Sequence, residues 1–218
     1  MNYFTIILCM LTLPVIYAGV IAVYQSDFSL EENQKRIPLK SRDELIALAM
    51  AELALVRIWL SLGQCSITDY EFLQLFVILA AMLIFCMTDR WEKIVPNKIL
   101  LVFALLWVII NGLRIVNDLP GFIRAAPSIF IGFIFCIMCF GGTYLLSKNS
   151  FGAGDVKLSL VMGLYLTGEY VVGAVLYGCI ISALYSIIML IMKKISKKDA
   201  IPFVPFLFLG VVIRYLAG

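Results

Sequence analysis

The sequence contains no histidine, and this absence removes several familiar kinds of active site. A Ser-His-Asp triad, a Cys-His pair and an HExxH zinc site each need at least one imidazole. The most common general base of enzymes is missing as well. Any hydrolytic chemistry in this chain must therefore use another titratable side chain.

Charged residues are also scarce, at 14% of the 218 residues, whereas 63% are hydrophobic. A soluble domain is about a quarter charged and about half apolar. This composition therefore predicts that the chain lies in a lipid bilayer. The net charge of +3 is too small to indicate nucleic-acid binding, so we expect no nucleic acid among its partners.

Cysteine is present, but not in an arrangement that indicates a metal site. Of the six cysteines only Cys136 and Cys139 form a CxxC pair, and they lie inside an apolar run. A closed zinc site needs four ligands. We interpret these cysteines as small buried apolar residues and predict neither a metal nor a cofactor.

Long apolar runs dominate the rest of the sequence, and a membrane helix needs about 20 such residues. Six runs qualify: 3–24, 72–88, 99–116, 127–147, 170–192 and 201–217. Two weaker candidates are 44–62, which contains charges, and 157–167, which is short. The first run has no Lys or Arg before Lys35, so we predict a retained helix and not a signal peptide. The predicted fold is an all-α transmembrane bundle of about eight helices, or seven if 44–62 lies on the surface.

The distribution of Lys and Arg predicts the orientation of this bundle. With eight spans, one side holds thirteen of the seventeen basic residues, in or beside the loops 25–43, 89–98, 148–156 and 193–200. The opposite side holds three, and Arg57 lies within a span. Because cytoplasmic loops are enriched in Lys and Arg, the first side is predicted to be cytoplasmic.

Two aspartates fall on this cytoplasmic side, Asp89 after one long run and Asp155 before the short one. Each alone is interpreted most simply as a helix cap or a solvated flank. As a pair they favour function, because ionisable groups at a membrane edge are costly. Two carboxyl groups that share a site do not both ionise easily, so one acts as a base and the other as an acid. The sequence leaves open which is which.

Gly152 and Gly154 precede the second aspartate, and they permit a tight turn and a close approach of a substrate strand. A phosphate-binding loop is the alternative interpretation of these glycines. It is disfavoured because no strand precedes them, no third glycine follows at the required position, and no Lys-Ser/Thr pair follows the glycines directly.

The stretch from Gly152 to Lys157, GAGDVK, resembles the GxGDxK motif of membrane aspartyl proteases. The stretch from Asp89 to Asn97 is similar to the other catalytic motif of the type IV prepilin peptidases, with Val95 inserted before Pro96 as a departure. The two aspartates are 66 residues apart, 155 minus 89. The likeness covers about residues 72–192, and Pro202–Pro205 resembles the start of the family's last helix.

This resemblance implies an aspartic endopeptidase that removes the basic leader from type IV prepilins or pseudopilins. It implies a location in the bacterial cytoplasmic (inner) membrane, with the active site facing the cytoplasm. Asp89 and Asp155 are then the catalytic residues. Five residues are assigned to substrate binding or positioning: Pro96 and Asn97 by the resemblance, and Gly152, Gly154 and Lys157 because they lie next to Asp155. For Lys157 a membrane-edge anchor is the simpler interpretation.

The family also suggests a division of the chain. Residues 1–70 form an N-terminal membrane region with helices at about 3–24 and 44–62, and residues 71–218 form the catalytic membrane domain. Longer relatives carry paired CxxC motifs in the first cytoplasmic loop and also methylate the new amino terminus. Here the loop 25–43 has no cysteine, so we expect peptidase activity without methylation.

Three alternatives stay open at this point. A small transporter would place its charges near the membrane midplane, where only Glu52 and Arg57 are candidates. A protease of the signal-peptide-peptidase type would carry a Pro-Ala-Leu motif, which does not follow Asp155. An inactive relative could serve as an assembly scaffold of a pilus or secretion machine.

Overall fold

A computed structural model describes residues 69–146, 152–196 and 201–217. Within these ranges the chain is entirely helical and has no strand, which confirms the predicted all-α class for this part. The helices are α1 (Asp69–Glu92), α2 (Asn97–Asn117), α3 (Leu119–Leu146), α4 (Ala153–Tyr165), α5 (Gly168–Ile191) and α6 (Val204–Ala217). The predicted helices 3–24 and 44–62, the loop 25–43 and the boundary at residue 70 lie outside the described residues. The total of about eight helices therefore stays a prediction.

Four of these helices, α1, α2, α3 and α5, are long and apolar enough to cross a membrane. α4 has 13 residues and α6 has 14. At about 1.5 Å per residue, α4 is roughly 20 Å long, which is less than the roughly 30 Å of a hydrocarbon core. The weak candidate at 157–167 is therefore a helix, but a short one packed among longer neighbours.

Helix α1 lies at the centre of the bundle. In its most apolar stretch 83% of the residues are buried, compared with 22% or less in α2, α3 and α5. It packs against α2, α4 and α6. The other three long helices leave many leucine and isoleucine side chains exposed, and in a membrane these faces contact lipid tails.

Helix α3 begins at Leu119 and not at 127, where the apolar run had placed it. The Asp118 side chain accepts a hydrogen bond from the Gly121 N–H at 3.0 Å, and Pro120 occupies the first turn. Both features favour a helix start, so the helix begins before the strongly apolar part. It continues through Pro127 and contains a π-helical turn at Ile137–Gly141.

At two crossings a glycine allows helices to approach closely. A Cβ atom on Gly163 of α4 would lie 2.9 Å from the Gly132 carbonyl oxygen of α3. A Cβ atom on Gly210 of α6 would meet the backbone of α5 at Ala174 and at the Gly178 nitrogen. These crossings hold α4 and α6 against the bundle so that their N-terminal ends lie beside the C-terminal end of α1.

The opposite end of the bundle contains a separate polar group. Arg114 is only 2% exposed and forms an ion pair with Glu71 at 3.2 Å. One turn further into the bundle, the Gln74 side chain donates a hydrogen bond to Asn111 at 3.0 Å. These contacts join α1 to α2 and are distant from the two aspartates.

Candidate active site

Asp89 lies in the last turn of α1 and is 5% exposed. Its Oδ2 atom accepts a hydrogen bond from the backbone N–H of Val204 at 3.0 Å, and the N–H of Phe203 also bonds to this carboxyl group. Val204 is the first residue of α6, and the first N–H groups of a helix have no partner within it. The side chain of one helix therefore caps the start of another.

Asp155 lies in the first turn of α4 and is partly exposed. Its backbone N–H bonds to the Gly152 carbonyl oxygen at 3.1 Å. A Cβ atom on Gly152 would lie 3.0 Å from Oδ2 of Asp155. Glycine at position 152 therefore leaves room for the carboxyl group to fold back over the helix start.

The two carboxyl groups are close enough to affect each other electrostatically. Burial raises the pKa of Asp155 to about 6, and the charge of Asp89 adds to the increase. Both causes disfavour the ionised form of Asp155. This carboxyl group therefore exchanges its proton near neutral pH, where an acid or base catalyst is most effective.

The turn between α1 and α2 packs directly against the start of α4. Val95 in this turn is buried, and a Cβ atom on Gly154 would lie only 3.0 Å from its Cβ. Glycine at position 154 thus allows α4 to approach the turn. The role toward substrate expected for Gly154 stays a prediction, whereas the contact with Val95 was not foreseen.

Pro96, Asn97 and Lys157 lie at the same junction. Pro96 directly precedes α2, and Asn97 is the first residue of that helix. The Lys157 ammonium group on α4 donates a hydrogen bond to Oδ1 of Asn97 at 3.0 Å. The seven residues proposed from the sequence therefore lie together at one end of the bundle.

One part of the site was missed by the sequence reasoning. The stretch Pro202–Pro205 was interpreted only as resembling the start of the family's last helix, yet the backbone of Val204 within it contacts Asp89. The Phe203 ring lies 6.0 Å, centroid to centroid, from Phe140 in the π-helical turn of α3. The available signal was Pro202 and Pro205, which mark a helix start but do not show which side chain will meet it.

Chemically, this arrangement suits acid–base catalysis by two carboxyl groups in different surroundings. Within the described ranges, no three His, Cys, Asp or Glu side chains cluster closely enough to hold a metal ion. One carboxyl group is deeply buried and receives backbone donors, and the other is partly exposed. Such a pair can activate a water molecule and polarise a carbonyl group.

The chain is similar in sequence to known proteins. Residues 76–187 match the model of the type IV leader peptidase family, a range that includes both aspartates. The chain is also 25% identical over 142 residues to a prepilin leader peptidase/N-methyltransferase of Bacillus subtilis (strain 168). This match covers 65% of the chain and 54% of the relative, so the chain spans about half the length of the curated relative it matches. No solved structure matches the chain.

Proposed function

The chain belongs to the type IV leader peptidase family, and from this premise we propose that it is an aspartic endopeptidase that processes prepilin precursors. The observation that carries the proposal is the meeting of Asp89 and Asp155, which come from separate helices and act on each other at one end of the bundle. The proposed substrates are type IV prepilins or pseudopilins with a basic leader followed by an apolar helix.

In the proposed reaction a water molecule lies between the two carboxyl groups. The ionised carboxylate removes a proton from this water, whose oxygen attacks the scissile carbonyl carbon. The protonated carboxyl group gives its proton to the carbonyl oxygen. When the tetrahedral intermediate collapses, the C–N bond breaks, the leaving amine takes the proton from the first aspartate, and the second recovers its own. The step uses no metal or cofactor.

The position of the site suits a substrate that is itself held in the membrane. Helix α2 starts at the site and leaves Leu101 and Leu105 more than half exposed. An apolar substrate helix in the bilayer can lie near this face while its leader junction reaches the aspartates. We place the site at the cytoplasmic face of the bacterial inner membrane because the basic residues of the sequence concentrate on that side. We further propose that the chain performs the peptidase step without methylation.

The test is cleavage of a prepilin substrate in membranes by the parent chain and by Asp89→Asn and Asp155→Asn. We expect the parent to release the leader and each variant to lose at least about a thousandfold in rate, because the dyad does not work with only one carboxyl group. Asp118→Asn is the matched control, since Asp118 caps α3 away from the site and asparagine caps equally well.

Immunoblotting of the membranes checks that all four proteins insert to the same level. If both aspartate variants cleave as well as the parent, the aspartic mechanism is wrong. The mass of the product, formed with S-adenosylmethionine present, should show a free amino terminus. A methylated product would contradict only the proposed absence of methylation.

A further inference from the structure

The two proposed catalytic carboxyl groups differ in their hydrogen-bond donors. Asp89 receives the backbone N–H groups of Phe203 and Val204. No described residue donates a hydrogen bond to the carboxyl group of Asp155, which is affected by burial and by the charge of Asp89. Donors that point at a carboxyl group favour its ionised form, and a neighbouring anion favours the protonated form. This difference in hydrogen-bond donors arises because Asp89 faces the start of α6 and Asp155 does not receive its N–H groups.

The hydrogen bonds at the start of α6 show why these two N–H groups point outward. The N–H groups of Phe206 and Leu207 both bond to the carbonyl oxygen of Phe203. Pro205 has no N–H. The first turn therefore leaves the N–H groups of Phe203 and Val204 for a partner outside the helix, and buried backbone donors need such a partner.

A second contact fixes this turn from the side. The π-helical turn of α3 contains Phe140, which is 5% exposed and packs against the Phe203 ring at 6.0 Å. π-Helical turns insert an extra residue into a helix and often occur at functional sites. Here the turn brings an aromatic ring against the donor segment, so the backbone of Phe203 has little freedom to turn away from Asp89.

Three other charged or titratable groups interact electrostatically with Asp89. They are Lys93 in the turn after α1, Cys86 one turn earlier in α1, and Asp155 on α4. The thiol of Cys86 is buried, and the charge of Lys93 favours the ionised form of the Asp89 carboxyl group. Burial of Asp89 opposes its charge, and the two backbone donors together with Lys93 offset part of that cost.

Resting on the proposed peptidase function, we infer that Asp89 is the ionised general base and Asp155 the protonated general acid, with Val204 as a positioning residue whose backbone N–H holds Asp89 in that role. Asp89 then removes the proton from the attacking water. Asp155 donates its proton to the scissile carbonyl oxygen.

The experiment removes this single N–H group. Val204→Pro deletes the N–H donor at the first position of α6, where proline is favoured. A proline also disfavours a helical conformation in the residue before it, and Phe203 is not helical. Val204→Ala is the matched control, because it shortens the side chain and keeps the N–H. The measurement is the single-turnover rate of prepilin cleavage as a function of pH, with insertion and thermal unfolding of each variant as the check on folding.

We expect the acid limb of the pH–rate profile to move up by about one pH unit in Val204→Pro, which is roughly a tenfold loss of rate on that limb with recovery at higher pH. The acid limb of Val204→Ala should coincide with that of the parent. Phe140→Ala, which removes the ring beside Phe203, should also move the acid limb to higher pH, but by a smaller amount. This variant tests the inference if Val204→Pro does not fold.

Equal acid limbs in Val204→Pro and Val204→Ala would overturn the inference. A shift confined to the basic limb would also overturn it, because the donor would then act on the acid. A parent chain that does not cleave prepilin at any pH would instead refute the proposed function, so the two failures are distinguishable.

Discussion

Lys157 and Asn97 lie sixty residues apart in the sequence, and their side chains share a hydrogen bond of 3.0 Å. Both are predicted to position the substrate, Asn97 from the resemblance, and a membrane-edge anchor is the simpler interpretation of the lysine. The contact supports a third role, since it joins the start of α2 to the start of α4. It holds the turn after Asp89 beside the helix that carries Asp155.

The environment of Asp155 leads to a prediction about stability. Its pKa is about 6 in the folded protein and 3.8 for the ordinary side chain. Between these values the folded protein binds more protons than the unfolded chain, so stability falls as pH rises from about 4 to about 6. Relative to Asp155→Asn, the parent should lose roughly 2 to 3 kcal/mol over this range.

Thermal unfolding in detergent at pH 4 and at pH 7 measures this difference. The melting temperature of the parent, compared with that of Asp155→Asn, should be higher at pH 4 than at pH 7. A difference between the two proteins that does not change with pH would show that the carboxyl group is not perturbed by its surroundings.

At the scale of the helices, four glycines recur every five residues, at 163, 168, 173 and 178. This spacing does not form one helix face, and it favours close packing at single points over a dimer motif. The structure shows packing at separate points, because each glycine meets a different neighbour. These neighbours are Gly132 for Gly163, Ile131 for Gly168, Arg214 for Gly173, and Phe206 and Leu207 for Gly178.

The crossing of α5 and α6 should be the most sensitive to an added methyl group. A Cβ atom on Gly210 would meet the backbone at Ala174 and lie 2.7 Å from the Gly178 nitrogen, and backbone cannot move aside as a side chain can. We expect Gly210→Ala to destabilise the protein by about 2 to 3 kcal/mol. It should also reduce cleavage, because α6 carries the N–H groups that contact Asp89.

Gly112 provides the matched control for this prediction. It lies within α2, is exposed, and has no atom within 4 Å of its would-be Cβ. Since alanine has a higher helix propensity than glycine, Gly112→Ala should leave the melting temperature unchanged or raise it slightly. If both variants unfold at the temperature of the parent, the α5–α6 contact is not as close as described.

At the scale of the whole molecule, charge is divided between the two ends of the bundle. The end with the aspartates carries most of the basic side chains in the described residues: Arg90, Lys93, Lys98, Lys157, Lys193 and Lys194. The other end carries Arg114, Arg124 and Arg214, and Arg114 is paired with Glu71. Because positively charged segments stay in the cytoplasm, this division predicts that the dyad faces the cytoplasm.

Single cysteines in a variant without the six native ones test this orientation. A cysteine at the exposed Lys194 should react with a membrane-impermeant maleimide only after the cells are opened. A cysteine at the exposed Asn117, at the other end of α2, should react in intact cells. The variant without cysteine is the control for background labelling, and the reverse pattern would place the dyad outside.

The sequence by itself determined the features that depend on local composition. Apolar runs of about membrane length predicted the helices α1, α2, α5 and α6 and most of α3, because a helix in lipid needs only apolar side chains and internal hydrogen bonds. A shorter apolar run predicted α4. The Asp89 and Asp155 motifs could be read from a few adjacent residues. The orientation of the bundle in the membrane was predicted from charge, because thirteen of the seventeen basic residues lie on one side.

Only the tertiary structure decided how these helix ends meet. The hydrogen bond from Val204 to Asp89 joins residues 115 positions apart, and every residue except proline carries a backbone N–H, so no sequence pattern marks this donor. The contact of Gly154 with Val95 likewise depends on the positions of two separate helices. Helix α3 starts at Leu119 because Asp118 caps it, and a pattern of apolar residues does not show such a cap. These features arise from packing between distant segments. Packing therefore decides that Asp89 receives backbone hydrogen bonds and that Asp155 lies near the charge of Asp89.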